Sequence, residues 1–233
     1  MREIVLDTES TGLDPDKGHR VIEIGCVELF NRIPTGKVFH TYLNPERDVP
    51  EEAFKIHKLS TEFLKDKPLF MDIYEEFIRF LDDAPLVIHN ASFDLKFLNA
   101  EFNRVNAPKI LAVRATDTVY LARKKFPGSP ANLDALCSRF KIDTRRRAVE
   151  GHGALLDAHL LAEVYVELLG GNQIELSMVQ EDTKINGDPP LKDSPKVILE
   201  ARLHALTLHE KEAHTVLCKD LKDPLWRLYP GMM

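Results

Sequence analysis

The feature that most constrains this 233-residue chain is a short apolar run, Ile4-Val5-Leu6, that leads directly into Asp7-Thr8-Glu9. The run is typical of a buried strand, and residues at positions i and i+2 of a strand project to the same face. Asp7 and Glu9 would therefore bring two carboxylates to one point, where they repel each other unless a cation joins them. Such a pair predicts either a solvated strand end or a site for Mg²⁺, which prefers carboxylate oxygens.

The order of the predicted elements places this strand in an α/β domain over residues 1–172. Further strands at Val21–Leu29 and Val38–Leu43 follow closely, which favours an antiparallel meander with the first strand. Helical and extended segments then alternate along the chain. They are predicted at Met71–Leu81 (helix), Leu86–Ile88 (strand), from Ser92 (helix), Ile110–Val113 (strand), after Asn132 (helix) and from Gly153 to Gly170-Gly171 (long helix).

A second acidic group follows the predicted strand Leu86–Ile88, in the sequence His89-Asn90-Ala91-Ser92-Phe93-Asp94. Neighbouring strands of one sheet present their ends side by side, so Asp94 would face the point occupied by Asp7 and Glu9. The alternative is that Asp94 only stabilises the positive N-terminal end of its own helix.

The third segment, His152-Gly153-Ala154-Leu155-Leu156-Asp157, opens the last long helix. The apolar stripe of that helix runs through Leu156 and Leu160, and we expect Asp157 to lie off the stripe. An imidazole titrates near neutral pH and can therefore deprotonate a water molecule. An acid five residues later could hold a metal that binds the same water. The alternative is a loop histidine without a chemical role.

Together the three segments resemble the motifs of the DEDDh (DnaQ-like) 3′–5′ exonuclease family. The matching residues are Asp7-Thr8-Glu9, Asn90 with Phe93 and Asp94, and His152 with Asp157. The resemblance covers about residues 3–172 and implies an RNase H-like fold, in which helices flank a mixed central sheet. It also implies two divalent ions, Mg²⁺ or Mn²⁺, held by four carboxylates, with a histidine as general base. The implied ligands are Asp7, Glu9, Asp94 and Asp157, and the implied base is His152.

The family further implies contacts with the terminal nucleotides of the substrate. The residues concerned are Thr8, Thr11, Leu13, Asn90 and Phe93. An aromatic face such as that of Phe93 stacks on any base, although its helical spacing suits core packing equally well.

Three other features carry weaker signals. Arg145-Arg146-Arg147 suits either contact with backbone phosphates or a solvated loop, and of the two we expect the loop. We expect His89 to be structural. Lys58 stands where the family commonly has glycine, so no role is assigned to the preceding His57.

The net charge of −6, from 31 basic and 37 acidic residues, argues against binding nucleic acid through bulk positive surface. It is compatible with meeting phosphate through metal ions. The sequence has no apolar run of the roughly 20 residues that would span a bilayer, and its three cysteines form no CxxC pair. We therefore expect a cytoplasmic protein without a membrane partner.

The composition changes after Gly171, and residues 173–193 are predicted to form a flexible linker. Two short helices and Trp226 follow in residues 194–233, which is too little to form a core alone. A capping-box pattern, Thr207 with Glu210, would start the second helix. This layout is typical of a proofreading nuclease tethered to the catalytic (alpha) subunit of a replicative polymerase. Gln173-Ile174-Glu175-Leu176 also resembles part of a sliding-clamp-binding peptide.

The expected activity is metal-dependent removal of nucleotides from single-stranded or frayed 3′ ends of DNA. The alternative is a free-standing exoribonuclease or general single-strand exonuclease of the same family, because discrimination of the 2′-OH depends on pocket shape. A non-catalytic binding module would have lost at least one of the five implied ligand and base residues, and all five are present.

Overall fold

The apolar run near the N-terminus forms the central strand of a five-stranded sheet. The computed structural model describes residues 1–171 and 207–220. Its strands are β1 (Arg2–Ser10), β2 (Val21–Phe30), β3 (Ile33–Tyr42), β4 (Leu86–Ile88) and β5 (Ala115–Asp117), in the order β3-β2-β1-β4-β5. Strands β1 to β3 form the expected antiparallel meander, whereas β1, β4 and β5 run parallel to one another. The predicted mixed sheet is confirmed.

Helices of residues 1–171 flank the sheet, and the longer helices lie where the apolar periodicity predicts them. In chain order these are α1 (Glu51–His57), α2 (Thr61–Leu64), α3 (Phe70–Leu81), α4 (Ala91–Arg104), α5 (Thr118–Lys125), α6 (Leu133–Phe140), α7 (Arg145–Glu150) and α8 (Ala154–Leu168). A further helix, α9 (Leu208–Asp220), belongs to a separate unit. Helices α1, α2, α5 and α7 have four to eight residues. Segments of that length contain too few helical turns for their periodicity to be recognised.

The strand expected at Ile110–Val113 is wrong, and β5 instead begins at Ala115. The amide of Asn99, in α4, donates to the carbonyl of Ile110 at 3.0 Å and accepts from its N–H at 2.8 Å. These bonds satisfy the backbone groups that a strand would have paired. The apolar residue Ile110 is buried, as a strand residue would be. Its backbone groups bond to the side chain of Asn99 in α4 instead of to a neighbouring strand.

The pleat of β1 divides its side chains between two cores. Leu6 faces a core shared with α3 and α4, whereas Val5 faces a core shared with α6 and α8. Because side chains alternate along a strand, Thr8 lies in the same row as Leu6. Asp7 and Glu9 lie in the row of Val5, on the side of the sheet that α8 covers.

A glycine in β2 allows α8 to approach the sheet closely. Gly25 pairs with Asp7, and a Cβ at this position would lie 2.2–2.5 Å from backbone atoms of Ala154 and Leu155. The first turn of α8 therefore lies directly against the strands. Asp157, in that turn, is only 4% exposed, although it lies off the apolar stripe of Leu156 and Leu160. The helix is buried around most of its circumference.

The chain divides into two units, residues 1–178 and 179–233, and the described part of the second contains α9. The predicted capping box is present. Glu210 Oε2 accepts from the N–H and the hydroxyl of Thr207 at 2.8 and 2.7 Å, and its own N–H donates to Thr207 Oγ1 at 3.3 Å. The predicted linker 173–193, the first of the two short helices expected in 194–233 and Trp226 lie outside the described residues. Within the described ranges, every helix is too short or too polar to cross a membrane.

Candidate active site

Asp94 is held against the central strand by the residue between the two acids of β1. Thr8 donates two hydrogen bonds to Asp94 Oδ1, from its N–H at 3.1 Å and from its hydroxyl at 2.7 Å. Asp94 lies in the first turn of α4 and is 3% exposed. The alternation of β1 thus sends Thr8 toward α4 while Asp7 and Glu9 face α8.

The N-terminal end of α8 brings the third motif to the same place. Glu9, His152 and Asp157 each offer one ligand atom, and these atoms all lie within 4.8 Å of one another. His152 Nδ1 is 3.4 Å from Asp157 Oδ2. The imidazole is 42% exposed, whereas the carboxylate beside it is buried, so the histidine remains accessible to solvent.

Burial and mutual repulsion raise the pKa values of the clustered carboxyls. Burial, followed by repulsion from Asp94 and Glu9, raises the pKa of Asp7 well above its usual value. Burial and the charge of Asp157 raise the pKa of Glu9 to about 8. Burial also raises the pKa of Asp94 to about 7, although the hydrogen bonds from Thr8 oppose the shift. Without a cation, Glu9 and Asp94 therefore titrate near neutral pH.

The donor set suits a hard divalent cation. Burial raises the pKa of Asp157, and the nearby Arg147 guanidinium opposes the shift. Asp157 Oδ1 is buried without a hydrogen-bond partner among the described residues, which is unfavourable for a carboxylate unless a ligand satisfies it. Clustered carboxylate oxygens are the ligands that Mg²⁺ and Mn²⁺ prefer. The residues present therefore fit the metal that the sequence predicts.

A fifth acid, Glu23, belongs to this cluster and lies outside the three sequence motifs. It lies opposite Glu9 in the register of β1 and β2, and it is 2% exposed. Its carboxylate accepts a hydrogen bond from His40 Nε2 at 2.8 Å. Its charge adds to the repulsion that raises the pKa values of Asp7 and Glu9. An acid inside the apolar run Val21–Leu29 is the one signal in the sequence that could have revealed it.

The expectation of a solvated loop at Arg145-Arg146-Arg147 is wrong. These residues begin α7, and the side chain of Arg147 is only 9% exposed. Arg147 contacts Asp134 on one side and Asp157 on the other. Three consecutive basic residues look alike in sequence, and only the contacts of Arg147 with Asp134 of α6 and Asp157 of α8 distinguish it from Arg145, whose side chain is 90% exposed.

A cavity of about 430 Å³ lies beside Glu9, within the size range of small-ligand sites. Four of the residues expected to contact substrate line it: Thr8, Thr11, Leu13 and Phe93. Leu13 is 84% exposed, so its apolar surface is free to meet a ligand. Phe93 also packs against the core that contains Leu6. Phe93 therefore packs against the core on one side and lines the cavity on the other.

His57 lines the same cavity, although no role was assigned to it from the sequence. Its Nδ1 accepts from the N–H of Leu59 at 3.0 Å, and its Nε2 is buried without a partner among the described residues. A neutral ring bonded in this way carries its proton on Nε2, where a bound ligand can accept it. Lys58 has a φ of 61° and ends α1, a position at which glycine is favoured.

Asn90 is not among the residues that line this cavity. It precedes α4 with a left-handed φ of 63°, its N–H donates to Asp117 at 3.2 Å, and its Oδ1 accepts from Ser92 at 3.3 Å. These bonds shape the turn from β4 into α4. His89 Nδ1 lies 2.8 Å from the hydroxyl of Thr118, a contact that agrees with the structural role expected for it.

Sequence comparison relates the chain to nucleases. A family model described as Exonuclease matches residues 4–165. The chain is 56% identical over 189 residues to the DNA polymerase III subunit epsilon of Rickettsia conorii, an alignment that covers 80% of this chain and 81% of the relative. It is 42% identical over 221 residues to the DNA polymerase III subunit epsilon of Escherichia coli, with 91% and 90% of the two chains covered.

Structural comparison finds the same fold in distant nucleases. Exonuclease X in complex with 5′ overhanging duplex DNA superposes with a TM-score of 0.58 at 24% identity, over 72% of this chain and 90% of that one. The nuclease domain of 3′hExo, described as a DEDDh family member bound to rAMP, superposes with a TM-score of 0.60 at 16% identity, over 72% and 91%. At these identities the likeness concerns the fold alone, and it confirms the predicted RNase H-like exonuclease fold.

Proposed function

This chain belongs to the exonuclease family and, within it, to the DNA polymerase III epsilon subunits, and from that premise we propose how its acidic site acts. It is a 3′–5′ exonuclease, a phosphodiester hydrolase that proofreads DNA synthesis. The proposed mechanism depends on one observation. Three segments far apart in the chain converge on β1, where they supply the acids of the site and one histidine.

We propose that the site binds two divalent ions, Mg²⁺ or Mn²⁺, as the DEDDh family's dependence on divalent metals suggests. Asp7, Glu9, Asp94 and Asp157 would hold them. When bound, the ions supply positive charge at the scissile phosphate and promote ionisation of the attacking water. The raised pKa values of the metal-free acids and the unpartnered Oδ1 of Asp157 support this assignment.

His152 would serve as the general base that removes a proton from the attacking water. It stands in a glycine-flanked loop directly before α8, partly exposed and beside Asp157. The water oxygen bonds to phosphorus, and the bond from phosphorus to the 3′ oxygen of the preceding nucleotide breaks. The products are a nucleoside 5′-monophosphate and a DNA strand that is one nucleotide shorter.

The cavity beside Glu9 would receive the terminal nucleotide. The ring of Phe93 and the exposed side chain of Leu13 offer apolar surface to a base, and stacking on an aromatic ring tolerates any base. Thr8 and Thr11 offer polar groups in the same wall, and Asn90 would act by shaping the turn before α4. Tolerance of every base suits an enzyme that must remove whichever nucleotide was misincorporated.

Association with the polymerase complex and a DNA substrate follows from membership of the epsilon family, and we propose the finer assignments. Residues 1–172 would form the nuclease domain, 173–193 a linker, and 194–233 the segment that binds the catalytic (alpha) subunit. Gln173–Leu176 would contribute to sliding-clamp binding. The cytoplasmic location expected from the sequence belongs to the same proposal.

The activity is tested by incubating the protein with single-stranded DNA and RNA of equal length, with Mg²⁺ or with a chelator. We expect 3′–5′ degradation of DNA that requires Mg²⁺ and is lost in Asp7→Ala. Equal or faster cleavage of RNA would favour the free-standing exoribonuclease. Full activity in the presence of the chelator would contradict a metal mechanism.

The tail assignment has a separate test. Truncation after Gly171 should retain exonuclease activity and abolish binding to the polymerase catalytic subunit in a pull-down. Binding by the truncated protein would contradict the assignment of residues 194–233. A Gln173→Ala variant in a pull-down with the clamp tests the second contact, which should weaken.

A further inference from the structure

Arg147 contacts two of the three side chains that lie close enough to share a metal ion. Its Nη2 donates hydrogen bonds to Asp157 Oδ2 and to His152 Nδ1, each at 2.8 Å. With Glu9, these two residues form the group whose ligand atoms lie within 4.8 Å of one another. The Arg147 guanidinium and a divalent ion bound by Asp157 would therefore lie close together.

The contact with Arg147 also sets the hydrogen-bonding role of His152 Nδ1. A guanidinium only donates hydrogen bonds, so Nδ1 is the acceptor in this contact. The bond holds the imidazole beside Asp157, whose Oδ2 lies 3.4 Å from Nδ1.

Arg147 leaves part of Asp157 available. It binds Oδ2, whereas Oδ1 is buried without a partner among the described residues. The guanidinium itself is anchored on its other side, where Nη1 contacts Asp134. Arg147 can therefore hold Asp157 in place while the second oxygen remains free for a cation.

We propose that Arg147 is a positioning residue that substitutes for a divalent ion in the metal-free site and competes with that ion for Asp157. The inference rests on the proposed function, since it requires a metal site. A divalent ion near Asp157 brings a second positive charge to the guanidinium, and like charges a few ångströms apart repel. We therefore expect metal binding at Asp157 to weaken the hydrogen bonds from Arg147 to Asp157 Oδ2 and to His152 Nδ1.

The first test measures Mn²⁺ binding without DNA, by the electron paramagnetic resonance of free Mn²⁺. Arg147→Gln should bind Mn²⁺ about threefold to tenfold more tightly than the wild-type protein, because a competing charge has been removed. Arg147→Lys keeps the charge and should stay within about twofold of wild type. The matched control is Arg145→Gln, which removes the same charge from the same helix at an exposed residue paired with Asp143, and should also stay within about twofold.

The exonuclease rate of the same variants completes this test. Arg147→Gln should lower kcat while it tightens metal binding, since His152 and Asp157 lose the group that positions them. A purely structural role would weaken both. Unchanged or weaker Mn²⁺ binding by Arg147→Gln would overturn the inference. If the wild-type protein itself bound no Mn²⁺, the proposed metal site would fail first, so the two failures can be told apart.

A second measurement needs no variant. In the wild-type protein, the ¹⁵N chemical shift of His152 Nδ1 should report a hydrogen-bonded acceptor without metal and should change when Mg²⁺ is added. The other loop-borne histidine near the cavity, His19, serves as an internal reference. A shift of Nδ1 that stays constant through saturation with Mg²⁺ would overturn the competition between Arg147 and the ion.

Discussion

Glu23 lies directly opposite Glu9 in the antiparallel ladder of β1 and β2, and both side chains belong to the acidic cluster. Like charges at directly opposed positions of a ladder destabilise the pair. Glu23 is nonetheless buried, with one hydrogen bond from His40. The metal-free site therefore contains a repulsion that only protonation or a cation can relieve.

We predict that Glu23→Gln stabilises the metal-free protein and weakens metal binding. Removing one buried negative charge lowers the pKa values of Asp7 and Glu9 toward their usual range, because Glu23 is among the charges that raise them. The Tm in a chelator at pH 8 should rise by a few degrees, and Mn²⁺ affinity should fall about threefold to tenfold. Thermal unfolding and Mn²⁺ titration measure the two effects.

Glu28→Gln is the matched control for Glu23→Gln on the same strand. Glu28 is also buried, but its pKa is lowered by a hydrogen bond from Arg2, which makes an ion pair with it at 2.5 Å. Removing this charge should lower the Tm and leave Mn²⁺ affinity unchanged. Stabilisation by both variants would mean that general charge reduction, and not the position opposite Glu9, explains the result.

Thr8→Val should reduce activity by about tenfold without disrupting the fold. The change is nearly isosteric and removes the 2.7 Å hydrogen bond from the hydroxyl to Asp94; a hydrogen bond to a charged group contributes about 1.5–3 kcal/mol. Because that bond lowers the pKa of Asp94, its loss raises the pKa, and the defect should be larger at pH 6 than at pH 8. Rates across this pH range give the measurement.

Thr41→Val provides the comparison for Thr8→Val. Thr41 is a strand residue whose hydroxyl donates to the carbonyl of Tyr42, away from the acids. This variant should stay within about twofold of wild-type activity at both pH values. A similar loss in Thr41→Val and Thr8→Val would argue against a special role for the contact with Asp94.

Gly25→Ala should displace the first turn of α8 and impair both stability and metal binding. A Cβ at this position would lie 2.2 Å from the backbone N of Leu155, and a backbone neighbour cannot rotate away. We expect a loss of about 2–4 kcal/mol in unfolding free energy, measured by urea denaturation. Gly153→Ala is the control, since its added Cβ would lie 3.8 Å from Glu23. Equal stability of the two variants would contradict the close approach.

The stability of the metal-free protein should fall as the pH rises from about 5 to about 8. In the folded chain the pKa of Glu9 is raised from its usual 4.5 to about 8. Between these two pH values the unfolded chain has lost this proton and the folded chain still holds it, so each rise in pH lowers the free energy of unfolding. In a chelator the Tm should drop by about 5 °C between pH 6 and pH 8. Saturating Mg²⁺ should remove the drop, because it binds the folded state. A Tm that rises with pH in the chelator would contradict this assignment, and Glu9→Gln should flatten the dependence.

Sequence patterns predicted those elements whose evidence is local. The run Ile4-Val5-Leu6 predicted β1, the apolar spacing of 71–81 predicted α3, and Thr207 with Glu210 predicted the start of α9. Each depends on the periodicity of one element or on a cap within one turn. The segment 110–113 was misassigned because its backbone partner, Asn99, lies in another element.

The residues of the candidate site also differ in whether local sequence patterns could predict them. Ordered motifs were sufficient to nominate Asp7, Glu9, Asp94, His152 and Asp157, because each motif is a short pattern at the end of an apolar element. The sequence did not predict that Glu23 and Arg147 belong to the site. Glu23 is a single acid within a strand, and Arg147 is one of three adjacent arginines. Their positions in the site depend on strand register and on the contacts of the Arg147 side chain with α6 and α8.

The sequence alone determined the fold class, the family resemblance and the alternation that separates Thr8 from the acids on either side, because these follow from the order and spacing of nearby residues. Tertiary structure decided which charges meet. Register placed Glu23 against Glu9, and the missing side chain of Gly25 let α8 bring Asp157 to β1. Contacts with Asp134 and Asp157 hold Arg147 in the site. These contacts join residues that are distant in the chain, and their energies depend on burial and separation, which the linear pattern does not contain.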